Sequence, residues 1–166
     1  ATRNRGRIYR VVPKDYQYVK PAPLAGMTTA QLVQSLDDAN IWRRMTALRM
    51  LYERPDPSAP AMLQSLFQTT PRPETRIAAL HALKTAGALT APQLIAALGD
   101  KHPRVRCHAL RLAEPMMDSS PDLLTKVLEL ESDADPVVQF QLALTLGESI
   151  DPRATQALAG IIARNA

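Results

Sequence analysis

The sequence is poor in several features on which other kinds of fold depend. It contains one cysteine, Cys107, among 166 residues, and only 4% of its residues are aromatic. One cysteine excludes an internal disulfide bond. Because alanine and leucine dominate in place of aromatic residues, the composition favours short, closely packed helices over a β-sandwich.

Long apolar runs are missing as well. No stretch approaches the roughly 20 residues that cross a bilayer as a helix, so we expect no membrane insertion. Residues 1–10 contain no apolar core of a signal peptide. Hydrophobic residues still make up 46% of the chain, enough for one domain with its own core. The sequence does not begin with methionine, and we expect it to be a piece of a longer protein.

Positive charge is concentrated at the front of the chain. Residues 1–20 contain six Lys or Arg and one acidic residue, residues 21–113 contain eleven and six, and residues 114–166 contain three and nine. The net charge of +4 therefore comes from the first 20 residues, and the rest of the chain is close to neutral. A nucleic-acid-binding domain usually carries one continuous basic stripe, which this division disfavours.

Two segments precede the helical part of the sequence. Residues 7–12 are rich in β-forming residues and are predicted to form a single strand whose partner strands lie outside this sequence. Residues 20–26 contain two prolines and are predicted to be a linker. The predicted organisation is an extended segment and linker at residues 1–26, followed by a helical domain at residues 27–166.

One pattern recurs four times in the helical part, at spacings of 32, 30 and 33 residues. Its four equivalent positions are Arg44, Arg76, Arg106 and Gln139. Three repeats carry a proline three residues earlier, where the first position of a helix tolerates it: Pro73, Pro103 and Pro136. A shorter partner helix is predicted before each of these helices, at 30–37, 59–67, 91–98 and 121–130, and a last helix at 152–163. Such a period is typical of stacked helical hairpins.

The turn between the two helices of a repeat carries a family resemblance. Asp100 followed by Val105 and Arg106 resembles the HEAT family, whose repeats have an aspartate in the turn and then a Val-Arg pair. The other repeats depart from it: Arg43 replaces the valine before Arg44, Thr70 replaces the aspartate before Arg76, and Gln139 replaces the arginine after Asp133. The resemblance covers about residues 27–166. It implies an all-α, HEAT-like right-handed α-solenoid of about four helical hairpins plus a terminal helix, with the second helix of each pair on the inner face.

A narrower resemblance starts at the N-terminus. The segment RGRIYRV at residues 5–11 is similar to the closing strand of a sorbosone dehydrogenase-like β-propeller. Residues 40–44, 109–114 and 139–147 are similar to the HEAT region of planctomycete-type membrane-bound dehydrogenases. In that family a propeller precedes the solenoid and a cytochrome c domain follows. The resemblance implies a redox-related parent protein in the periplasm or cell envelope. Neither propeller catalytic residues nor a haem-binding motif is present, so we expect no cofactor in this piece.

Two sets of residues are candidates for a role. A structural ladder is predicted for Arg44, Arg76, Arg106, Asp38 and Asp100, since an arginine at a fixed repeat position can bond the turn aspartates and carbonyls of neighbouring repeats. A possible interaction surface is formed by Trp42, Arg43, Arg49, Arg104, His108 and Arg111. Trp42 is the only tryptophan, and we expect it to cap the N-terminal end of the solenoid in preference to binding a ligand.

The function that these patterns favour is a non-catalytic interaction scaffold, or a connector between domains of a larger protein. Its partners would be other domains of the same polypeptide or a separate protein. The alternative is a nucleic-acid-binding HEAT-like module acting through the inner-face arginines, and a HEAT-like lyase or glycosylase is a third hypothesis. The latter needs a carboxylate and aromatic side chains on the inner face, which the sequence does not cluster. Cys107, His102 and His108 lack the spacing of a zinc site.

Overall fold

The computed structural model describes residues 9–18, 20 and 22–164. Within these residues it contains nine α-helices, two short 3₁₀ helices (Met117–Ser119 and Glu129–Ser132) and no strand. The nine helices are α1 (Thr29–Ser35), α2 (Ile41–Glu53), α3 (Ala59–Thr69), α4 (Pro73–Thr85), α5 (Ala91–Leu98), α6 (Pro103–Ala113), α7 (Pro121–Leu128), α8 (Pro136–Leu146) and α9 (Pro152–Arg164).

The helices form four stacked hairpins and a terminal helix. We call α1, α3, α5 and α7 the A helices and α2, α4, α6 and α8 the B helices. The B helices form one continuous row, in which α2 contacts α4, α4 contacts α6 and α6 contacts α8. On the other side α1 contacts α3, α5 contacts α7, and α9 packs against α8. The predicted HEAT-like α-solenoid of four hairpins plus a terminal helix is confirmed.

Local sequence signals set the helix boundaries. Thr28 caps α1: its hydroxyl accepts the backbone N–H of Gln31, and the Gln31 side chain accepts the Thr28 N–H in return. The helices α4, α6 and α8 begin at proline, whose missing N–H has no partner to lose there. Gly87 follows the end of α4 with a φ of 65°, a left-handed conformation that favours glycine, and it reverses the chain toward α5.

The core lies between the A and B rows. Alanines occupy the same position in three successive B helices and are fully buried: Ala47, Ala79 and Ala109. Their small side chains allow the helices to approach closely. The buried residues form two clusters, which divide within the second hairpin: Leu63 and Leu83 pack toward the first hairpin, whereas Phe67 and Leu80 pack toward the third.

The N-terminal end of the solenoid is covered by part of the segment that the sequence assigns to a linker. Leu24 is 5% exposed and belongs to the core cluster of the first hairpin. Arg43 donates to the carbonyl of Ala22 at 2.9 Å, and Arg54 donates to the carbonyl of Ala25 at 3.0 Å. Residues 22–26 therefore pack against the first hairpin, and Leu24, not Trp42, fills its end.

The strand predicted for residues 7–12 is not found in residues 9–12, and residues 7 and 8 lie outside the described part of the chain. Residues 9–12 are exposed and have no regular secondary structure. The physical reason is that the described residues offer no second strand, so the backbone has no ladder to join.

Candidate functional site

Two buried ion pairs hold consecutive hairpins together. The Arg76 Nη2 donates to Asp100 Oδ1 at 3.0 Å, and both side chains are more than 90% buried. Arg106 binds Asp133 through two bonds, Nε to Oδ2 at 2.7 Å and Nη2 to Oδ1 at 2.8 Å. Each arginine also donates to a carbonyl of its own turn, Arg76 to Thr70 and Arg106 to Asp100. This geometry supports the predicted ladder for these members.

The first junction is built differently. Arg44 donates to the carbonyls of Asp38 and Ala39 in its own turn and has no described carboxylate partner. Thr70 occupies the place of the aspartate that Arg44 would reach. The two hairpins are joined instead through Asp37, whose carboxylate accepts from Thr70 at 2.9 Å and from Thr75 at 2.7 Å.

The Asp38 carboxylate bonds groups at the N-terminal end of the solenoid and does not link two hairpins as the ladder aspartates do. Its Oδ1 accepts the Asn40 backbone N–H at 2.8 Å, and its Oδ2 accepts Arg43 Nε at 2.8 Å. The Asn40 N–H, with the Arg43 guanidinium, keeps the pKa of the Asp38 carboxyl below its ordinary value against the opposing effect of burial. Arg43 is thereby occupied in holding the fold and is not a free member of the predicted interaction surface.

The exposed side of the four B helices, which we call the B face, begins with a stripe on α2. Its members are large or charged and exposed: Trp42, Met45, Arg49 and Tyr52. Their spacing places them on one side of the helix. Beside the stripe lies an open, mainly apolar groove of about 830 Å³ between α2, the start of α3 and the end of α4. Met45 and Tyr52 line one side of the groove, and His81 of α4 lines the other.

The centre of the B face carries two side-chain contacts that cross between B helices. His81 Nε2 lies 2.9 Å from His108 Nδ1, so α4 and α6 share one imidazole–imidazole hydrogen bond. Between α6 and α8, Arg111 Nε donates to Gln141 Oε1 at 2.6 Å. The two contacts are equivalent in the repeat: His81 and Arg111 occupy one aligned position, and their partners His108 and Gln141 occupy another.

The polar contact of Arg111 continues into the interior. Gln141 Nε2 donates to the Thr145 hydroxyl at 3.2 Å, and that hydroxyl donates to Glu114 Oε1 at 2.9 Å. Gln141 and Thr145 are buried. Their polar groups need these partners, since an unpaired buried hydroxyl or amide would cost about 1–3 kcal/mol.

Positive charge surrounds the histidine pair. Burial lowers the pKa of His81 below its ordinary value, and the charges of Lys84 and Arg111 lower it further. Burial likewise lowers the pKa of His108, with His81, Arg111 and Arg104 acting in the same direction. The surroundings therefore favour the neutral form of both imidazoles.

The far end of the B face is apolar again. Val137, Phe140 and Leu144 lie on one side of α8, and Phe140 is 68% exposed. They occupy the aligned positions that hold Arg104, Cys107 and Arg111 in α6. The B face thus has apolar side chains on α2 and α8 and a basic centre on α4 and α6.

The structure brings five of the predicted surface residues together on the B face: Trp42, Arg49, Arg104, His108 and Arg111. Several others of this face were not predicted from the sequence, namely Met45, Tyr52, His81, Lys84, Phe140 and Leu144. The alignment of the repeats contained the signal for His81 and Leu144, because both fall at the position of Arg111.

Cys107 is 5% exposed, and burial raises the pKa of its thiol. Its side chain packs in the core as a small hydrophobic group. Among the described residues, no three His, Cys, Asp or Glu side chains gather closely enough to hold a metal ion. A helix with the length and apolar character needed to span a bilayer is not found in residues 9–18, 20 and 22–164.

Comparisons with known proteins concern the fold alone. No curated protein matches the chain. Two crystal structures of engineered proteins from the Northeast Structural Genomics Consortium are similar to it. One has 18% sequence identity and a TM-score of 0.46, with 80% of this chain and 67% of the other covered; the second has 19% identity and a TM-score of 0.49, with 80% and 69% covered. The family model of HEAT repeats matches residues 91–166, the part from α5 to α9, and the chain has an all-α solenoid fold of the HEAT-repeat type.

Proposed function

We propose that the chain is a non-catalytic interaction scaffold that binds a protein partner on the B face. The observation that carries the proposal is the exposure of large apolar side chains at both ends of that face. Trp42, Met45 and Tyr52 are 64%, 59% and 70% exposed on α2, and Phe140 and Leu144 are 68% and 53% exposed on α8. Apolar side chains exposed together on one surface are typical of protein-binding sites, where aromatic residues serve as anchors.

The construction of the solenoid supports this function. Stacked helical hairpins form extended surfaces that such proteins use for binding. The buried pairs of Arg76 and Arg106 fix α4, α6 and α8 to one another, so this part of the B face is preorganised. A preorganised surface loses little conformational entropy when a partner binds.

A peptide selection tests the proposal without assuming a partner. A phage-displayed library of random 16-residue peptides is selected on the immobilised chain, and the enriched peptides are titrated against variants. We expect Met45→Asp and Phe140→Asp each to weaken binding of their peptides about tenfold or more, because a charge replaces an apolar anchor.

Ile162→Asp is the matched control, since Ile162 is 61% exposed on α9 and lies outside the B face. It should leave binding within about twofold. Peptides that bind all three variants as tightly as the original chain would contradict the proposal, as would a selection that enriches none.

The finer part of the proposal concerns the parent protein. We propose that the solenoid connects a redox-related propeller to a further domain, in the periplasm or cell envelope. The support is the sequence resemblance of residues 5–11 and of the three HEAT segments. An antibody raised against residues 27–166 should detect a native protein much larger than 166 residues. A native protein of this size alone would contradict it.

Nucleic-acid binding is the second candidate function. The basic residues Lys84, Arg104 and Arg111 at the centre of the B face favour it, whereas the apolar ends of the face and the acidic last third of the chain do not. Residues 21–166 should not bind duplex DNA below about 1 μM at physiological salt, since few phosphate contacts are available. Tight, sequence-dependent binding by this part of the chain would replace the scaffold proposal.

A further inference from the structure

The cations of the solenoid differ in whether a carboxylate neutralises them. Most arginines are neutralised by a carboxylate in an ion pair: Arg43, Arg49, Arg72, Arg76, Arg106, Arg153 and Arg164. Among the described cations of the solenoid without such a pair, Arg44 and Arg54 bond backbone carbonyls, Lys101 lies in a turn, and three lie at the centre of the B face. Within the described residues Lys84 and Arg104 have no ion pair, and Arg111 bonds only the neutral amide of Gln141.

These three cations converge on one place. Lys84 lies one turn after His81 on α4, and Arg104 and Arg111 lie one turn before and one turn after His108 on α6, so all three lie beside the histidine pair. Within the described residues neither imidazole has a hydrogen bond or ion pair to a carboxylate. The centre of the B face is therefore a site of positive charge that the chain itself does not neutralise.

The histidine pair adds a donor to this site. A single proton occupies the hydrogen bond between His81 Nε2 and His108 Nδ1. The imidazole that accepts this bond must carry its own proton on its other nitrogen. Whichever tautomer is present, one ring N–H remains available beside Lys84, Arg104 and Arg111.

The apolar groove opens next to the same site. His81 lines the groove together with Met45 and Tyr52, so its imidazole borders both the groove and the cations. A ligand that places an apolar side chain in the groove therefore brings its neighbouring groups to the positive centre.

We propose that the groove and the adjoining cations bind an acidic peptide segment of a protein partner, with an apolar side chain next to two or more carboxylates. This inference rests on the proposed scaffold function and specifies the partner. The apolar side chain fills the groove between α2 and α4. The carboxylates accept hydrogen bonds from Lys84, Arg104 and the free imidazole N–H, and charge-assisted bonds of this kind are the strong ones.

Three synthetic 12-residue peptides test the chemistry. Each has two leucines followed by four residues that are glutamate, glutamine or lysine. Binding to the full chain is followed by calorimetry and by the fluorescence of Trp42, the only tryptophan. We expect the glutamate peptide to bind about tenfold more tightly than the glutamine peptide and the lysine peptide to bind weakest. The preference for glutamate should shrink as salt rises, because salt screens exposed charges.

A pair of double variants localises the site. Lys84→Ala with Arg104→Ala should weaken binding of the glutamate peptide about tenfold and leave the glutamine peptide unchanged. Neither side chain forms an ion pair within the described residues, so we expect the double variant to fold. The matched control is Lys101→Ala with Arg153→Ala, which removes one exposed cation from the turn before α6 and one from the first turn of α9. Both lie outside the B face, so neither affinity should change.

The outcomes separate this inference from the scaffold proposal. If all three peptides bind equally and Met45→Asp removes binding, the scaffold function stands and the acidic preference is wrong. The acidic preference is also wrong if no peptide binds, or if both double variants lose affinity alike. Displacement of the glutamate peptide by an equal concentration of a 20-base-pair DNA duplex at physiological salt would assign the site to nucleic acid instead.

Discussion

The junction between hairpins 1 and 2 differs from the two junctions that follow it. At the later junctions an arginine of one B helix reaches the turn aspartate of the next hairpin, Arg76 to Asp100 and Arg106 to Asp133. At the first junction Thr70 replaces the aspartate, and Asp37 accepts two hydroxyl hydrogen bonds instead. The apolar groove lies at this first junction.

The comparison shows that the ladder of buried ion pairs fixes the register in which the hairpins stack, as well as affecting stability. A buried ion pair gains Coulomb energy but loses the hydration of both charges, so its net contribution is small when complete. Removing one partner leaves the other charge buried and unpaired, which is costly. Each of the two pairs therefore penalises any stacking of the hairpins that separates its arginine from its aspartate. The first junction has no such buried pair. It relies on two hydroxyl donors to the Asp37 carboxylate and on a longer, exposed contact from Arg72 Nε to the same group at 3.7 Å.

Breaking a ladder pair gives the largest expected effect. Asp100→Ala should lower the free energy of unfolding by about 3–5 kcal/mol, because it leaves Arg76 buried without its carboxylate. Asp37→Ala removes the corresponding link at the first junction and should cost about 1–2 kcal/mol, since it removes two hydrogen bonds from neutral hydroxyls and an exposed ion pair with Arg72 that adds little. Urea unfolding of both variants measures the difference. Equal losses would mean that the two kinds of junction are energetically alike.

Core packing gives the next largest effect. Leu142 is fully buried on α8, and Leu142→Ala should cost about 2–5 kcal/mol through lost burial and the cavity that remains. Leu144 lies two residues later on the B face and is 53% exposed, so Leu144→Ala should change stability by less than about 0.5 kcal/mol. Thermal or urea unfolding checks both values. A loss below about 1 kcal/mol for Leu142→Ala would contradict the burial of this position.

The repeat pattern was enough to predict the fold. The spacing of Arg44, Arg76, Arg106 and Gln139 located all four hairpins, and the helices begin at the predicted prolines because those prolines suit the first helical turn. The prediction of a strand at residues 7–12 was wrong for the described residues 9–12, since β-forming composition alone supplies no pairing partner.

The binding face was only partly predictable. Arginines such as Arg104 and Arg111 were identified because exposed charges stand out in an apolar helix. Phe140 was not, because an aromatic residue in a helix normally indicates the core. Its exposure follows from its position on the last B helix, where no further B helix in the described residues covers it. Likewise the linker around Leu24 gave no sign in the sequence that its leucine would close the first hairpin.

The histidine pair predicts how the centre of the solenoid responds to pH. Its imidazoles have folded-state pKa values below the ordinary value of 6.5, mainly because they are buried and are also surrounded by Lys84, Arg104 and Arg111. Their neutral forms therefore contribute stability in full above about pH 6.5. As the pH falls below 6.5, the unfolded chain binds protons before the folded chain does. The contribution is lost as the pH falls through the lowered folded-state pKa values.

The equivalent junction between α6 and α8 supplies the comparison, because Gln141 occupies the position of His108 there. His108→Gln should reduce the loss of stability between pH 7 and pH 5, measured by urea unfolding at several pH values. If the original chain and the variant lost the same amount of stability over this range, the histidine pair would not be the source of the pH response.

The smallest expected effect distinguishes the two residues that could close the N-terminal end. Trp42 is 64% exposed on the B face, so Trp42→Ala removes little buried area and should change the free energy of unfolding by less than about 0.5 kcal/mol. Leu24 is 5% exposed in the core of the first hairpin, and Leu24→Ala should cost about 2–3 kcal/mol. Urea unfolding measures both, and iodide quenching of Trp42 fluorescence gives an independent check in the unmodified chain. Efficient quenching is expected for a side chain in contact with solvent. A shielded tryptophan, or a Trp42→Ala loss as large as that of Leu24→Ala, would make Trp42 the residue that caps the solenoid and would remove it from the binding face.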